Sequence, residues 1–277
     1  MANYWDLLAG QFQHQQPPLR PSAEDAAIVS GIVQDWHRTH SPAQTNVLLL
    51  GVTPEIATLR WPANTSLLAI EQSQAMIDVV WPGNIPNQRE AMLGNWFDVD
   101  LKPQSFDFVL GDGFSTGMVY PDQYRHIAKR ISAWLRPDGL LVARLFIRTE
   151  EKETQERIVS DLKAGKIRRF DILKWRLGMA CQNSVTDGVV VEEIYQMWLA
   201  IAKDWSSLPE EAGWPQPTVD TIKLYAGRRN RYHFPTIAEI TAEFAGGLAF
   251  VSATFPKYDL GECCPTLVYR RRTTVIA

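Results

Sequence analysis

Short apolar runs alternate with segments of helical character in the first half of the chain, and this alternation restricts the fold more than any other feature. Residues 46–50 and 66–70 are almost wholly apolar, and they end at Gly51 and Glu71. Short, continuous apolar runs are typical of strands buried on both faces, as in a parallel sheet covered by helices. Residues 54–60 lie between the two runs and supply a helix, so the unit is strand, helix, strand.

The same alternation continues as far as residue 147. Further strands are predicted at 90–93, 106–110 and 140–147. Before the last of these, the sequence Arg-Pro-Asp-Gly at 136–139 ends a helix and turns the chain into the strand. The apolar stripe of that helix consists of Tyr124, Ile127, Ile131 and Leu135. Repetition of strand and helix implies a parallel sheet with right-handed crossovers.

The segments that flank this region carry their own signals. Ser22 is predicted to cap an N-terminal helix that has acidic residues in its first turn. The apolar stripe of this helix consists of Ala27, Ile28, Ile32, Val33 and Trp36. Near the other end, a helix at 236–244 precedes strands at 249–255 and 266–269. The short separation of these strands favours an antiparallel pair.

Residues 150–229 interrupt the alternation with long helical stretches. Much apolar bulk falls here, including Leu173, Trp175, Leu177, Met179, Trp198, Trp205 and Trp214. We interpret the segment as a helical cap inserted over the sheet, with a packing layer of the core as the alternative.

The predicted fold class is therefore α/β: a Rossmann-like, mostly parallel sheet with helices on both faces, an antiparallel C-terminal strand pair and a helical insertion. Residues 1–277 are expected to form one domain. Its parts are N-terminal helices (1–45), an α/β core (46–149), the insertion (150–229), and a C-terminal helix with the strand pair (230–277).

Charge and cysteine content exclude several classes of function. The net charge of −3 and the isoelectric point near 6.0 give no field that attracts nucleic acid. The three cysteines have the spacing of neither a disulfide framework nor a zinc site. No apolar stretch is long enough to span a membrane, and the N-terminus does not have the pattern of a signal peptide. We expect a soluble cytoplasmic protein with no metal, nucleic-acid partner or membrane partner, while its oligomeric state stays undefined.

Gly51 and Glu71 end consecutive strands about 20 residues apart, which is the spacing of nucleotide-binding Rossmann units. An ordinary tight turn explains the glycine alone equally well. The residues after Gly51 distinguish between two candidate ligands, a dinucleotide such as NAD and S-adenosylmethionine. A dinucleotide places its pyrophosphate at the start of the helix, where Pro54 lacks an N–H and Glu55 adds negative charge. S-adenosylmethionine (SAM) has a cationic sulfonium and no phosphate, so this loop tolerates SAM better than NAD.

Two further strand ends extend the pattern. Gly-Asn-Trp at 94–96 follows the third strand, and Gly-Asp-Gly at 111–113 ends the fourth. Together with the glycine loop, Glu71 and Leu-Arg-Pro-Asp-Gly at 135–139, this series resembles that of class I SAM-dependent methyltransferases. The resemblance spans about 46–146. Tyr-Trp-Asp at 4–6 and Leu-Arg-Pro-Ser at 19–22 are also similar to the opening of some bacterial members.

This resemblance implies a SAM site. The glycine loop would line the methionine part, Glu71 would bind the ribose, and Asn95 would accept a hydrogen bond from the adenine amino group. Asp112 would lie beside the methionine end, and Arg20 would close over the cofactor carboxylate. The implied cofactor-binding residues are Arg20, Gly51, Val52, Thr53, Glu71, Gln72, Met76, Asn95, Trp96, Asp112 and Gly113.

The sequence departs from the usual pattern of the family at two places. Gly-Val-Thr-Pro-Glu at 51–55 replaces the common Gly-x-Gly, and Asn95 replaces the common aspartate. An amide oxygen still accepts the same hydrogen bond. Alternative roles are core packing for Met76 and Trp96 and a turn position for Asp112.

The predicted function is methyl transfer from SAM to an unidentified small-molecule acceptor. This in-line displacement requires a positioned acceptor and exclusion of water, and a base only for a hydroxyl or ammonium. Candidate bases are His126, Asp112 and Tyr120, and no catalytic residue is assigned. The alternatives are a SAM-binding sensor or assembly protein without activity and a nucleotide-dependent oxidoreductase. The acceptor pocket is expected to come from the N-terminal helix and the insertion, whose candidate lining residues are Trp175, Met179, Met197, Trp198, Trp205 and Trp214.

Overall fold

A computed structural model describes residues 4–272. The described strands are β1 Thr45–Leu50, β2 Thr65–Glu71, β3 Arg89–Leu93, β4 Phe106–Asp112, β5 Leu135–Arg144, β6 Val189–Val190, β7 Arg231–Tyr232, β8 Leu248–Thr254 and β9 Thr266–Arg271. Seven of them form one sheet in the order β3-β2-β1-β4-β5-β9-β8. Strands β1 to β5 are parallel, and β9 is antiparallel to both of its neighbours.

The helices cover both faces of this sheet and form the insertion. They are α1 Tyr4–Ala9, α2 Ala23–His40, α3 Pro54–Ala57, α4 Gln74–Val80, α5 Asp122–Trp134, α6 Gln155–Lys163, α7 Phe170–Cys181, α8 Val191–Asp204, α9 Leu208–Glu211, α10 Gln216–Asp220 and α11 Ile237–Phe244. Short 3-10 helices lie at Phe12–His14, Thr221–Tyr225 and Gly261–Cys263.

Burial on both faces explains the continuous apolar sequence of β1. Successive side chains of a strand point to opposite faces. Val47 and Leu49 therefore pack with α2, α3 and α4, whereas Leu48 and Leu50 pack with α5 and α11. All four side chains are almost completely buried. The predicted fold class is confirmed in its parallel core, its covered faces and its antiparallel C-terminal pair.

Some predicted boundaries are wrong. Helix α3 stops at Ala57 and does not reach residue 60. Strand β5 begins at Leu135 and ends at Arg144, so the sequence Arg-Pro-Asp-Gly lies inside a strand and does not separate it from the helix. Leu135 pairs with Phe106, and the register shifts before Phe108. This irregularity accommodates the proline and glycine within the strand.

The N-terminal helix begins where its cap predicts, but its buried stripe is displaced. Ser22 and Asp25 form a capping box, in which each side chain accepts a hydrogen bond from the backbone of the other residue. The buried positions are Asp25, Val29, Val33 and Trp36, whereas Ala27 is exposed. The prediction considered apolar residues alone and therefore missed Asp25. This residue is buried and accepts a hydrogen bond from the Tyr258 hydroxyl.

The insertion has its own apolar cluster at the carboxyl edge of the sheet. Helices α6, α7 and α8 contribute half of its buried residues, and Phe146 and Cys264 are among those that join it from outside the insertion. A two-stranded ribbon, β6 with β7, joins the start of α8 to the chain that leaves the insertion. The sequence pattern did not predict this ribbon, because two residues per strand are too few to show a period. In the described part of the chain, no helix is long and apolar enough to cross a membrane.

Candidate functional site

A cavity of about 360 Å³ lies at the carboxyl ends of the parallel strands. In open α/β sheets this is the edge at which ligands bind. All of the predicted cofactor-binding residues except Arg20 line the cavity: Gly51, Val52, Thr53, Glu71, Gln72, Met76, Asn95, Trp96, Asp112 and Gly113. The structure therefore brings together residues that are far apart in the sequence, because each follows or ends one of four neighbouring strands.

The turn after β1 requires a glycine because of its backbone conformation. Gly51 has a φ of +92°, and its N–H donates to the Ile70 carbonyl at 2.8 Å. A Cβ on this residue would lie 3.8 Å from Oε2 of Glu71, which is an ordinary contact distance. Lack of space therefore does not select glycine here, whereas L residues adopt this backbone conformation only under strain.

Glu71 ends β2 as a buried carboxylate on the cavity wall. Oε1 accepts a hydrogen bond from the Ser73 N–H at 2.9 Å, and the residue is 6% exposed. Burial raises the pKa of Glu71, and hydrogen bonds from the backbone of Ser73 and Gln72 oppose that rise. Ser73 in turn caps α4 and donates from Oγ to Asp6 at 2.7 Å. This side chain is thus fixed at the strand end by the start of the next helix.

Asn95 and Trp96 follow β3, next to Glu71. Oδ1 of Asn95 accepts a hydrogen bond from the Phe97 N–H at 2.9 Å, and one lone pair of the oxygen is left for a ligand. The Trp96 indole donates to the Ile70 carbonyl at 2.7 Å. Its ring packs edge-on against Phe114, with 6.2 Å between the ring centroids. Trp96 is therefore both a wall of the cavity and part of the apolar core.

Asp112 ends β4 and is ion-paired with Arg144 on β5. Nε of Arg144 donates to Oδ1 of Asp112 at 2.6 Å, and both side chains are buried. Burial raises the pKa of Asp112, and the Arg144 guanidinium opposes that rise. Sequence reasoning missed Arg144, although a charged residue in the apolar run 140–147 is a signal, because a buried charge needs a partner.

Arg20 does not line the cavity. Its Nε donates to Oε1 of Glu55 at 2.6 Å, and its guanidinium lies 4.8 Å from the centroid of the Phe12 ring. Phe12 itself is on the cavity wall. A role for Arg20 toward a cofactor carboxylate stays a prediction, and in this structure the charge of Arg20 is already offset by Glu55.

The chain from residue 4 to 20, which we call the N-terminal strap, forms one side of the cavity. Its wall residues are Trp5, Leu8, Phe12, Gln15 and Leu19. The Gln16 N–H donates to Oδ2 of Asp171 in α7 at 2.7 Å, and Nη1 of Arg144 donates to the Pro18 carbonyl at 2.8 Å. These bonds attach the strap to both the insertion and the sheet, which no local sequence pattern indicated.

The side of the cavity opposite the predicted cofactor residues is mainly aromatic. Its walls include Phe146 from the segment after β5, Trp175 from α7, Tyr225 and Tyr232. The other predicted acceptor residues of the insertion lie elsewhere. Trp198 and Trp214 are buried against Phe170, which accounts for their apolar character without a ligand.

Three further members of that predicted set also lie away from the cavity wall. Trp205 is half-buried and donates to Glu211 at 3.0 Å. Met197 packs against the insertion cluster, and Met179 faces a separate charged groove. Of the predicted acceptor residues, only Trp175 is therefore on the wall.

The candidate bases differ in their position relative to the cavity. Asp112 lines it, whereas Tyr120 and His126 do not. Tyr120 donates to Oε1 of Glu243 at 3.1 Å, and burial together with Glu243 raises the pKa of Tyr120 to about 12. His126 is exposed, with its ring 5.3 Å from that of Phe97. Of the three candidates, Asp112 is therefore the one on the cavity wall.

The charge of the wall is acidic. Glu71 and Asp112 are its charged members, and none of the residues between 4 and 272 that line it is Lys, Arg or His. Within the same part of the chain, no group of His, Cys, Asp and Glu side chains is arranged to hold a metal ion.

The chain is similar to known proteins in its structure but not in its sequence. The chain matches no protein-family model and no curated protein by sequence. It is similar to the CcbJ methyltransferase from Streptomyces caelestis, at 14% identity over 98% of each chain with a TM-score of 0.56. It is also similar to the N-methyltransferase NodS from Bradyrhizobium japonicum in complex with S-adenosylhomocysteine, at 11% identity over 98% of this chain and all of NodS, with a TM-score of 0.51.

A third similar structure is described as a putative Zn-dependent alcohol dehydrogenase from Rhodobacter sphaeroides. Its identity is 16%, the match covers 98% of this chain and 97% of that one, and the TM-score is 0.60. At such identities the matches report the fold and not the activity. The sheet order with antiparallel β9 beside β5 is that of class I SAM-dependent methyltransferases. The chain has this fold over nearly its full length.

Proposed function

We propose that the chain is a SAM-dependent methyltransferase that acts on a small-molecule acceptor. The observation that carries the proposal is the convergence of the four strand ends. Asn95, Glu71, Gly51 and Asp112 follow or end β3, β2, β1 and β4 in their spatial order, and all four line one cavity. Each occupies the position at which the resemblance to the family implies a contact with SAM.

The residues of the cavity suit the charge of SAM better than that of a dinucleotide. Carboxylates are the charged members of the wall, which suits a cationic sulfonium. The turn after Gly51 carries Pro54 and an ion-paired Glu55, so it offers poor hydrogen bonding to a pyrophosphate. When bound, SAM supplies a methyl group on a positively charged sulfur.

This chain contributes binding, orientation and exclusion of water. In this proposal Glu71 accepts hydrogen bonds from ribose hydroxyls, and Asn95 accepts one from an adenine amino group. The apolar side chains of Met76 and Val80 cover the same half of the cavity. The N-terminal strap and the insertion enclose the other half, which keeps water from the reacting atoms.

Titration calorimetry with SAM and, separately, with NAD tests the choice of ligand. We expect binding of SAM and none of NAD, and the opposite result would support the oxidoreductase. Glu71→Ala is expected to weaken SAM binding by about 1.5–3 kcal/mol, the range for a hydrogen bond to a charged group. Glu90→Ala, which removes an exposed carboxylate from β3, is the matched control and is expected to bind normally.

Transfer of labelled methyl groups into a metabolite extract distinguishes the enzyme from a sensor that binds SAM without activity. We expect label in a small molecule. Tight binding of SAM with no label in any fraction would favour the sensor.

A further inference from the structure

We propose that the acceptor is an uncharged, nitrogen-containing aromatic ring that is methylated on its ring nitrogen without a general base. This proposal rests on the proposed methyltransferase function and deepens it. Its basis is the part of the cavity wall that the predicted SAM contacts do not use.

Four aromatic side chains from four separate segments form a continuous surface there, which we call the aromatic wall: Phe146, Trp175, Tyr225 and Tyr232. The ring centroids of Phe146 and Trp175 are 4.9 Å apart, and those of Trp175 and Tyr232 are 5.6 Å apart. The ring centroids of Tyr225 and Tyr232 are 5.9 Å apart. Each pair is arranged edge to face.

An edge-to-face set of this kind presents ring faces and ring edges to a neighbour at fixed angles. A planar aromatic ligand makes favourable stacked or edge contacts with such a surface. Because the four rings come from the segment after β5, α7, the 3-10 helix Thr221–Tyr225 and β7, packing of the insertion against the sheet fixes their positions. The wall is therefore pre-formed, and a flat ligand does not have to order it.

The charges around the cavity disfavour an acidic acceptor. No Lys, Arg or His is among the described residues of its wall. The neighbouring cations, Arg144 and Arg20, are already paired with Asp112 and Glu55. A carboxylate or phosphate on the acceptor would lose its water without gaining a counter-charge, which is strongly unfavourable. A neutral molecule, or a product with a positive charge, does not have this cost.

The side chains of the cavity wall also restrict which kind of acceptor atom can receive the methyl group, because few of them can act as a base. A hydroxyl or a protonated aliphatic amine must lose a proton before or during attack, which requires a base. Asp112 is held by Arg144, and a tyrosine hydroxyl is a poor proton acceptor near neutral pH. A pyridine-type ring nitrogen has its lone pair free at neutral pH and has no proton to lose.

The reaction then balances without a proton acceptor. The nitrogen lone pair forms the new N–C bond, and the C–S bond breaks with its electron pair remaining on sulfur. The positive charge passes from the sulfonium to the methylated ring, and S-adenosylhomocysteine is the second product. The aromatic faces of the wall stabilise a cationic product.

Isoquinoline, isoquinoline-4-carboxylate and decahydroisoquinoline are suitable probes at pH 8, because they differ in charge and aromaticity at similar size. Binding is measured by calorimetry in the presence of S-adenosylhomocysteine, and formation of N-methylisoquinolinium from SAM by mass spectrometry. We expect isoquinoline to bind at least about tenfold more tightly than either other probe, and to be the one methylated. Equal or tighter binding of the carboxylate would overturn the proposal, and so would faster methylation of the saturated amine.

Trp175→Leu is expected to weaken isoquinoline binding about tenfold while SAM affinity stays near that of the parent chain. Trp198→Leu is the matched control, because Trp198 is buried in the same insertion but packs on Phe170 away from the cavity. Equal losses in both variants would show that the insertion acts through stability alone and would contradict a role for the wall.

Tyr225→Phe and Tyr232→Phe keep the rings and remove the hydroxyls. We expect methylation of isoquinoline to persist in both variants. A large loss of isoquinoline methylation with unchanged probe binding would show that transfer requires a tyrosine hydroxyl, and would overturn transfer by the ring nitrogen without help from a side-chain hydroxyl. If the parent chain does not bind SAM at all, the methyltransferase function itself is wrong, which calorimetry with SAM alone distinguishes from failure of the acceptor proposal.

Discussion

Arg144 and Asp112 are direct cross-strand partners at the carboxyl ends of β5 and β4, and their side chains form a buried ion pair. Arg144 also donates to the Pro18 carbonyl at 2.8 Å and to the Tyr258 hydroxyl at 3.3 Å. One guanidinium thus joins the floor of the cavity, the N-terminal strap and the C-terminal segment. The ion pair therefore holds these three segments together and also offsets the charge of Asp112.

Replacement of this arginine tests its structural role. Arg144→Met leaves Asp112 buried without a partner, and loss of one member of a buried pair costs about 3–5 kcal/mol. We expect that loss in the free energy of unfolding, measured in urea. Arg38→Met, which breaks the exposed pair with Asp35, is the control and is expected to cost less than about 1 kcal/mol. Similar losses in the two variants would contradict the role of the buried pair.

The raised pKa of Glu71 predicts a pH dependence of both stability and binding. Burial penalises the charged carboxylate, so the folded state holds its proton to a higher pH than the unfolded state does. The stabilising contribution of Glu71 is present below its ordinary pKa of about 4.3 and is lost as pH rises through the raised pKa. We expect Glu71→Gln to abolish this change in the free energy of unfolding.

Binding of SAM is expected to follow the opposite course. The carboxylate accepts hydrogen bonds from ribose hydroxyls better than the protonated acid does, so SAM affinity is expected to fall as Glu71 is protonated in acid. Calorimetry with SAM across this range, with Glu71→Gln alongside, measures the effect. An unchanged pH profile in the variant would show that another group is responsible.

Gly51 is expected to be sensitive to substitution because of its backbone conformation. At a φ of +92° a β-branched side chain is strained by about 1–3 kcal/mol, and the turn shifts to relieve the strain. We expect Gly51→Val to lose SAM binding in calorimetry while the protein still folds. Gly117→Val is the control, because Gly117 also lines the cavity, has open space around its Cα and does not have a positive φ. Normal SAM binding by Gly51→Val would show that this turn is only a connection.

A candidate acid-sensitive group directly follows β7 of the two-stranded ribbon. His233 is buried, and its Nδ1 lies 2.7 Å from the Val185 carbonyl oxygen. Burial lowers the pKa of His233, the Val185 carbonyl opposes that change, and Arg231 adds to it. The unfolded chain therefore takes up a proton first as pH falls below about 6.5, and the folded state loses stability there.

We expect His233→Gln to reduce this loss between pH 7.5 and pH 5.5, measured as the change in the free energy of unfolding. His126→Gln serves as the control, because His126 is exposed and is expected to change the profile little. An identical pH profile for His233→Gln and the parent chain would remove His233 as the source.

The sequence by itself determined the parallel core and half of the cavity. Burial on both faces forces apolar residues at positions 47–50 of β1, so the glycine that follows them stands out, and so does Glu71 at the end of β2. Asn95 and Asp112 were assigned to the site through the resemblance to the methyltransferase family. Parallel strands have their carboxyl ends at one edge, so residues at these four strand ends are expected to meet.

Only the tertiary structure decided which residues complete the cavity. Trp175 and Trp198 have the same apolar character in the sequence, and packing places one on the cavity wall and the other against Phe170. Phe12 and Tyr232 enter the wall through contacts between segments more than 200 residues apart in the chain. Likewise, the partner of Asp112 is set by the register of β4 with β5. Periodicity reports which face of an element is buried, whereas the identity of what buries it depends on how distant segments pack together.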